Sequence, residues 1–250
     1  MNAWYLRCSP DQVGDRAILV GDRGRVSLLA ERLIHPLWLN EERGLTTVTG
    51  TYKDHRVTVT AFGMGAPVAA IVLHELANLG ARTVLRLGTM MNLPPTGLGE
   101  YVLADRALRG EGTSGTYVPA GFPAVGDDGL GQALRTQLEL FDQPYRAGLV
   151  ASYDGFYTQM FPLDERAWEA FRNSQEKWRS LGVLGLDMET SAVLAVGRSL
   201  GVRAGSLCLA TVDGPTQRRL DEAVREKAER DLCHMGLEAL VSVGDEEPAS

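Results

Sequence analysis

The chain has 250 residues, 44% of them hydrophobic, and a formal net charge of -7. This length and apolar content suffice for one α/β domain with a full core, and the negative charge argues against nonspecific binding of nucleic acid or anionic membranes. Cys8, Cys208 and Cys233 are widely spaced, no secretory signal precedes them, and no apolar run approaches a membrane span. We therefore expect a cytoplasmic protein without nucleic-acid or membrane partners.

Apolar runs of strand length recur along the chain, with helical patterns between most of them. The runs cover residues 17–20, 83–87, 146–151, 183–187 and 204–212. Residues 45–52 and 56–62 instead alternate and are rich in Thr and Val, which predicts an antiparallel hairpin. The pattern predicts an α/β fold over residues 1–243, in which helices flank a central mixed, largely parallel β-sheet.

The clearest helix pattern covers residues 66–79, with Pro67 in the first turn and Gly80 as a stop. Two further helices are predicted at about residues 190–200 and 220–241. The segment 109–128 is rich in Gly, Ser, Thr and Pro and is longer than a simple connection, so it is either functional or poorly ordered. The acidic tail at residues 244–250 has no apolar anchor, and we expect it to be disordered.

Two strand ends combine glycine with arginine. The segment 86–89, Arg-Leu-Gly-Thr, follows an apolar run and offers a cation, an approachable backbone and a hydroxyl in one loop, which suits a bound oxyanion. Gly21 and Arg25 follow the apolar run 17–20 in the same way, so both loops could converge on one anion. The alternative is that both are ordinary turns with surface arginines.

Asp187, Met188 and Glu189 lie at a turn from a strand into a helix. Carboxylates at such a place can accept hydrogen bonds from sugar hydroxyls, and Met188 offers an adaptable apolar surface. The alternative is that Asp187 and Glu189 cap the helix N-terminus. The residues alone leave both interpretations open.

Three common catalytic patterns fail on inspection. Val68 occupies the third glycine position of a dinucleotide fingerprint that begins at Gly63. Asn78 occupies the position of the second ligand in a zinc-protease pattern that begins at His74. Gly-x-Ser-x-Gly occurs at residues 197–201, but at the end of a predicted helix and not at the strand-to-helix elbow that a serine hydrolase needs. We therefore expect no metal site and no catalytic triad.

Taken in order, the segments 21–26, 63–67, 86–89 and 187–189 resemble the nucleoside phosphorylase family, most closely uridine phosphorylases, and the resemblance spans residues 12–241. It implies reversible phosphorolysis of a nucleoside to free base and pentose 1-phosphate. Inorganic phosphate would be the co-substrate and no cofactor would be needed. The resemblance also implies a dimer-based homo-oligomer such as a hexamer.

The resemblance implies a role for each matching residue. Phosphate would be held by Gly21, Arg25, Arg43, Arg86 and Thr89, with Arg43 reaching over from a neighbouring subunit. Catalysis would rest on Arg86 and Glu189, and the nucleoside would contact Asp187, Met188, Glu189, Phe156, Met91, Gln159 and Arg166. Asp213 resembles the aspartate of the purine-cleaving branch, which protonates the leaving base; a turn cap is the alternative for it.

The chain departs from the family pattern at several points. Met91 replaces a glycine near the base, Asp187 replaces a glutamate, and the N-terminal histidine is absent. Two alignments of the base-binding pair keep either Gln159 or Arg166, and neither keeps both. Base preference therefore stays open between uridine-type and purine substrates, as does the choice between ribose and deoxyribose. A nucleoside hydrolase and a non-catalytic nucleoside-binding protein are further alternatives.

Overall fold

A computed structural model describes residues 3–244, in which nine strands form one sheet and seven α-helices flank it. The strands are β1 (Arg16–Val20), β2 (Ile34–Asn40), β3 (Thr47–Tyr52), β4 (His55–Ala61), β5 (Thr83–Asn92), β6 (Tyr101–Arg109), β7 (Tyr145–Ser152), β8 (Val183–Asp187) and β9 (Arg203–Asp213). The helices are α1 (Arg23–Ala30), α2 (Ala66–Leu79), α3 (Ser114–Tyr117), α4 (Asp128–Leu140), α5 (Glu165–Ser180), α6 (Thr190–Ser199) and α7 (Glu222–Ser242).

The sheet runs in the order β2-β3-β4-β1-β5-β8-β7-β6-β9, and β9 pairs with β5 as well. Strands β5, β8, β7, β6 and β9 therefore form a closed ring of pairings, and the other four strands extend it on one side. Five pairings are parallel and four are antiparallel. The predicted mixed α/β fold is confirmed.

Local sequence signals place several elements correctly. The predicted hairpin is β3 and β4, joined by Lys53 and Asp54, which both have positive φ. The predicted helix at residues 66–79 is α2, which ends because Gly80 adopts the left-handed conformation, with φ 110°. In both cases the turn chemistry agrees with the hydrophobic pattern.

Strand β5 differs from the prediction. It continues to Asn92, because Met91 and Asn92 still pair with both β8 and β9. The segment 86–89 therefore lies inside a strand, and the prediction that it forms a loop at a strand end was wrong. An apolar run marks where side chains are buried, whereas pairing with two neighbours decides where a strand ends.

Strand β2 was not predicted, because proline is unusual within a paired strand and β2 contains Pro36. Its apolar side chains Ile34, Leu37 and Trp38 are exposed. The segment 109–128 is ordered. Within it α3 forms a short helix, and the Arg109 guanidinium donates to the carbonyls of residues 118, 119 and 122. The predicted acidic tail lies outside the described residues, apart from Gly244.

Helices α2 and α6 pack on one face of the sheet, and α1, α4 and α7 pack on the other. A third apolar cluster lies between α5, β8 and the ends of β5 and β7. Within residues 3–244, no helix is both long and apolar enough to cross a membrane. The same residues contain no group of three or more His, Cys, Asp or Glu arranged to hold a metal ion.

Candidate active site

The antiparallel pairing of β8 with β5 determines where the carboxylates of the β8–α6 turn lie. Leu186 pairs with Met91, so the chain beyond Leu186 runs back along β5 toward its middle. This direction brings Asp187 and Glu189 beside Arg86, which lies within β5. A parallel arrangement of the two strands would have carried the same residues away from it.

Arg86 is the centre of this cluster and is only 3% exposed. Its Nη2 atom donates to Glu189 Oε2 at 2.6 Å and lies 3.1 Å from Asp187 Oδ2. Its Nη1 atom donates to the sulfur of Cys208 at 2.6 Å. The guanidinium is therefore held by two carboxylates and one thiol.

The charge of Arg86 is maintained by these neighbours. Burial alone opposes the charge, but the carboxylates of Asp187 and Glu189 raise the pKa of Arg86. Burial also raises the pKa of the Cys208 thiol, against the opposing effect of Arg86. The sulfur is therefore a neutral thiol and a weak acceptor. An oxyanion would be a stronger partner for Nη1.

A second arginine reaches the same strand from the other predicted motif. Arg25 is buried on α1, and its Nη1 atom donates to the carbonyl of Leu87 at 2.8 Å. Gly21 lies beside it, where a Cβ atom would come within 2.9 Å of the Gly63 carbonyl oxygen. The Nε atoms of Arg25 and Arg86 are buried and, within residues 3–244, have no hydrogen-bond partner. Two cations with unused donors thus converge on the middle of β5.

The two carboxylates of the β8–α6 turn do different things. Asp187 caps α6, because its Oδ2 atom accepts from the backbone and the hydroxyl of Thr190 at 3.1 and 2.5 Å. Glu189 occupies the N-cap position but makes no capping bond. Its Oε1 atom instead accepts from the Gly65 N–H at 2.6 Å. The capping interpretation therefore holds for Asp187 and fails for Glu189.

The predicted base-contacting residues lie around the third apolar cluster. Met91 belongs to it and Met188 packs against it. Phe156 is 40% exposed in a short π-helical turn, and its ring stacks on Phe161 with centroids 5.8 Å apart. Gln159 accepts from the Gly155 N–H within the same turn. An exposed aromatic face therefore lies beside a methionine-rich surface.

Other predicted residues lie apart from Arg86. Arg43 is exposed, and its guanidinium carbon lies 5.5 Å from the centroid of the Tyr5 ring. Arg166 is exposed in the first turn of α5. Thr89 is half-buried three residues beyond Arg86. Among the described contacts, none joins Arg43 or Arg166 to the Arg86 cluster.

Asp213 ends β9, and its carboxylate caps the following turn. It accepts from the backbone N–H of Thr216 at 3.1 Å and from the Thr216 hydroxyl, with a long contact of 3.4 Å to the Asn92 amide. This geometry matches the turn-cap alternative. Among the described contacts of the Asp213 carboxylate, none indicates the role of a general acid.

Sequence reasoning missed Cys208. It reaches Arg86 because it lies directly opposite Gly88 in the parallel pairing of β5 with β9. The two positions are far apart in the chain, and a single cysteine in an apolar strand gives no local signal. Only knowledge of the strand register could have found it.

Comparison with known proteins places these motifs in a wider group. Residues 15–242 match the family model described as the phosphorylase superfamily. The chain is 33% identical to a uridine phosphorylase of Treponema pallidum, in an alignment that covers 82% of this chain and 80% of the relative. It is 32% identical to a guanosine phosphorylase of Halorubrum lacusprofundi, in an alignment that covers 84% of this chain and 82% of the relative. A crystal structure of uridine phosphorylase from Vibrio fischeri ES114, complexed with 6-hydroxy-1-naphthoic acid, is similar with a TM-score of 0.85 and 30% identity, over 96% of this chain and 97% of that one.

Proposed function

Because this chain belongs to the phosphorylase superfamily, we propose that it cleaves a nucleoside of the uridine type with inorganic phosphate, giving free base and pentose 1-phosphate. Its class, a nucleoside phosphorylase among the pentosyltransferases, was predicted from the sequence and is confirmed by its similarity to uridine phosphorylases. The observation that carries the proposal is the buried Arg86, held between Asp187 and Glu189 with Arg25 alongside.

Phosphate would bind where the two arginines converge, with Gly21 and Thr89 completing the site. Three features support this: the unused Nε donors, the weak thiol acceptor on Arg86, and the close approach of Gly21 to the Gly63 loop. Arginines suit this task because their planar forks match a phosphate oxyanion. Phosphate is then the only co-substrate, and the reaction needs no cofactor.

Cleavage would proceed by attack of a phosphate oxygen on the anomeric carbon. The new C–O bond forms as the glycosidic C–N bond breaks, and the base leaves with the bonding electrons and takes up a proton. Positive charge develops on the sugar, where phosphate and Glu189 stabilise it. Holding the oxygen about 3 to 3.5 Å from the carbon supplies the proximity contribution. Asp187 and Met188 would contact the sugar from the same turn.

The base would stack on Phe156 and meet Met91, with Gln159 or Arg166 contacting its edge. Met91 is larger than the glycine that the family uses, so it narrows this pocket. The exposed face of Phe156 and the polar ends of Gln159 and Arg166 support the assignment.

A purine nucleoside is the second candidate substrate, with Asp213 protonating the leaving base. It is favoured by the comparable identity to a guanosine phosphorylase. The bonds of Asp213 to Thr216 would have to open for this role. Substitution Asp213→Asn should then abolish purine cleavage and leave uridine cleavage intact.

The active enzyme would be a dimer-based homo-oligomer, such as a hexamer, in which Arg43 completes the phosphate site of a neighbour. Support comes from the exposed guanidinium of Arg43 and from the exposed apolar side chains Ile34, Leu37 and Trp38 on edge strand β2. We also propose that residues 1–243 form the catalytic domain and that it works in the cytoplasm, where its three free, buried cysteines would stay reduced.

The test measures base release and pentose 1-phosphate formation from uridine, thymidine, inosine, guanosine and adenosine, each with and without phosphate. Phosphate-dependent cleavage of uridine or thymidine is expected, and preferred cleavage of inosine or guanosine would favour the purine candidate. Base release that ignores phosphate would indicate a hydrolase. Tight nucleoside binding without any product would indicate a binding protein.

A further inference from the structure

The segment 109–128 has no part in the proposed function, yet it is joined to the helix that follows Glu189. Glu111 lies in this segment and is only 6% exposed. Its Oε1 atom accepts from the Ser114 hydroxyl at 2.5 Å and from the Ser191 hydroxyl at 2.9 Å. Its Oε2 atom accepts from the Ser114 N–H at 2.8 Å. Glu111 therefore accepts hydrogen bonds both from α3 and from the first turn of α6.

Ser191 continues this connection into the candidate active site. Its backbone N–H donates to the Ser152 hydroxyl at 2.9 Å, and that hydroxyl donates to Asp187 Oδ1 at 2.5 Å. Both serines are fully buried. A continuous path of buried hydrogen bonds thus runs from Glu111 to Asp187, along the turn that carries Glu189.

The far end of the path is fixed by Arg109. Its Nε atom donates to the Ser114 hydroxyl at 2.8 Å, while the rest of the guanidinium bonds to loop carbonyls at residues 118, 119 and 122. The Ser114 hydroxyl thereby accepts from Arg109 and donates to Glu111. Arg109 therefore cross-links the segment that carries Glu111, and Glu111 in turn binds α6 through Ser191.

The choice of a carboxylate at this place is informative. Within residues 3–244, no cation forms an ion pair with Glu111. Burying a carboxylate without a cation is costly unless several donors are fixed on it. Such charge-assisted hydrogen bonds are shorter and stronger than neutral ones, so they fix the position of their donors. One of these donors is the hydroxyl of Ser191, which lies two residues beyond Glu189.

We propose that Glu111 is a positioning residue, which acts through Ser191 to hold the first turn of α6 and thereby the aim of Asp187 and Glu189 at the nucleoside. The inference rests on the proposed function, because it takes these two carboxylates as the nucleoside-binding groups. Arg25 and Gly21 lie outside the path, and Arg86 is linked to it only through its ion pairs with the two carboxylates. The nucleoside would contact these carboxylates directly, so the effect falls on the nucleoside more than on phosphate.

The test compares Ser191→Ala, Glu111→Ala, Glu111→Gln and the double variant Ser191→Ala/Glu111→Ala in steady-state phosphorolysis. Ser191→Ala removes one hydroxyl and keeps the N–H bond to Ser152. We expect kcat/KM for the nucleoside to fall about tenfold, the value of one hydrogen bond to a charged group, with KM for phosphate within about twofold of wild type. Glu111→Gln keeps an oxygen acceptor for Ser191 without the charge, so it should recover part of the loss seen in Glu111→Ala.

The double variant decides whether Glu111 acts through Ser191. If it does, the double variant is no worse than Glu111→Ala, whereas effects that multiply would overturn the proposal. Thr116→Ala is the matched control, because this residue of the same segment is exposed and its hydroxyl donates to the Thr113 carbonyl, away from Glu111 and Ser191. It should retain wild-type kinetics, and an equal loss there would also overturn the proposal.

Two further outcomes separate this inference from the proposed function. If the wild-type enzyme cleaves nucleosides with phosphate and Ser191→Ala has the same kcat/KM for the nucleoside, the inference is wrong and the proposed function stands. A wild-type chain that releases no base in any reaction overturns the proposed function and the inference with it. Should Glu111→Ala fail to fold, Ser191→Ala and Glu111→Gln still decide the matter.

Discussion

The side chain of Arg86 folds back over Gly88, so closely that a Cβ atom on Gly88 would lie 1.9 Å from Arg86 Nη1. Two carbon or nitrogen atoms that are not bonded to each other do not approach this closely. The guanidinium can occupy its place between Asp187, Glu189 and Cys208 only because position 88 has no side chain. The position of the Arg86 side chain thus requires glycine at position 88, two residues later in the same strand.

Substitution Gly88→Ala should therefore displace Arg86 from its carboxylates. We expect kcat/KM for phosphate to fall about 100-fold, since a misplacement of about 1 Å at a reacting group costs this much. The measurement is steady-state phosphorolysis with phosphate varied. Gly115→Ala is the matched control, because a Cβ there meets nothing within 4 Å. A Gly88→Ala enzyme with normal phosphate kinetics would show that Arg86 does not hold phosphate.

Substitutions of Glu189 and of Arg86 should change different kinetic constants. Glu189→Gln removes the charge that stabilises the developing sugar cation, so kcat should fall about 100-fold with little change in KM for phosphate. Arg86→Ala should mainly raise KM for phosphate. It should also lower the free energy of unfolding by about 3 to 5 kcal/mol, because Asp187 and Glu189 lose their buried cation. Kinetics and urea unfolding on both variants check this, and equal kinetic effects would contradict the division of roles.

Arg43 can be tested by mixing inactive subunits. If Arg43 serves the neighbour's site, Arg43→Ala subunits mixed with Glu189→Gln subunits should form hybrids in which one site has all its residues. Random pairing then restores activity to about a quarter of the sites. A mixture of Arg86→Ala and Glu189→Gln subunits is the control and should stay inactive, because both residues belong to the same subunit. Equal activity in the two mixtures would rule out a shared site.

The buried thiols should react only at high pH. Burial raises the pKa of Cys8 to about 11 and that of Cys233 to about 12, above their usual value of 9.0. Because the native pKa values are raised, these thiols contribute stability below about pH 9 that is lost as the pH rises through 11 to 12. A thiol-specific chromogenic reagent should label the native protein slowly at pH 8 and the urea-unfolded protein rapidly. Fast native labelling at pH 8 would contradict this.

The sequence by itself determined the fold class, the β3–β4 hairpin, the helix Ala66–Leu79 and the family. These follow from local properties: hydrophobic period, a glycine that ends a helix, and short motifs in a fixed order. It also identified Arg25, Arg86 and the 187–189 turn as one candidate site. The assignment of individual residues to phosphate or nucleoside remains a prediction.

The tertiary structure alone decided how these residues meet. Antiparallel pairing of β8 with β5 returns Glu189 to Arg86, and parallel pairing of β9 with β5 sets Cys208 against the same guanidinium. It also assigned helix capping to Asp187 and not to Glu189, and joined Glu111 to Ser191 across 80 residues of chain. Strand register and long-range hydrogen bonds depend on the whole packed chain, so no local pattern could supply them.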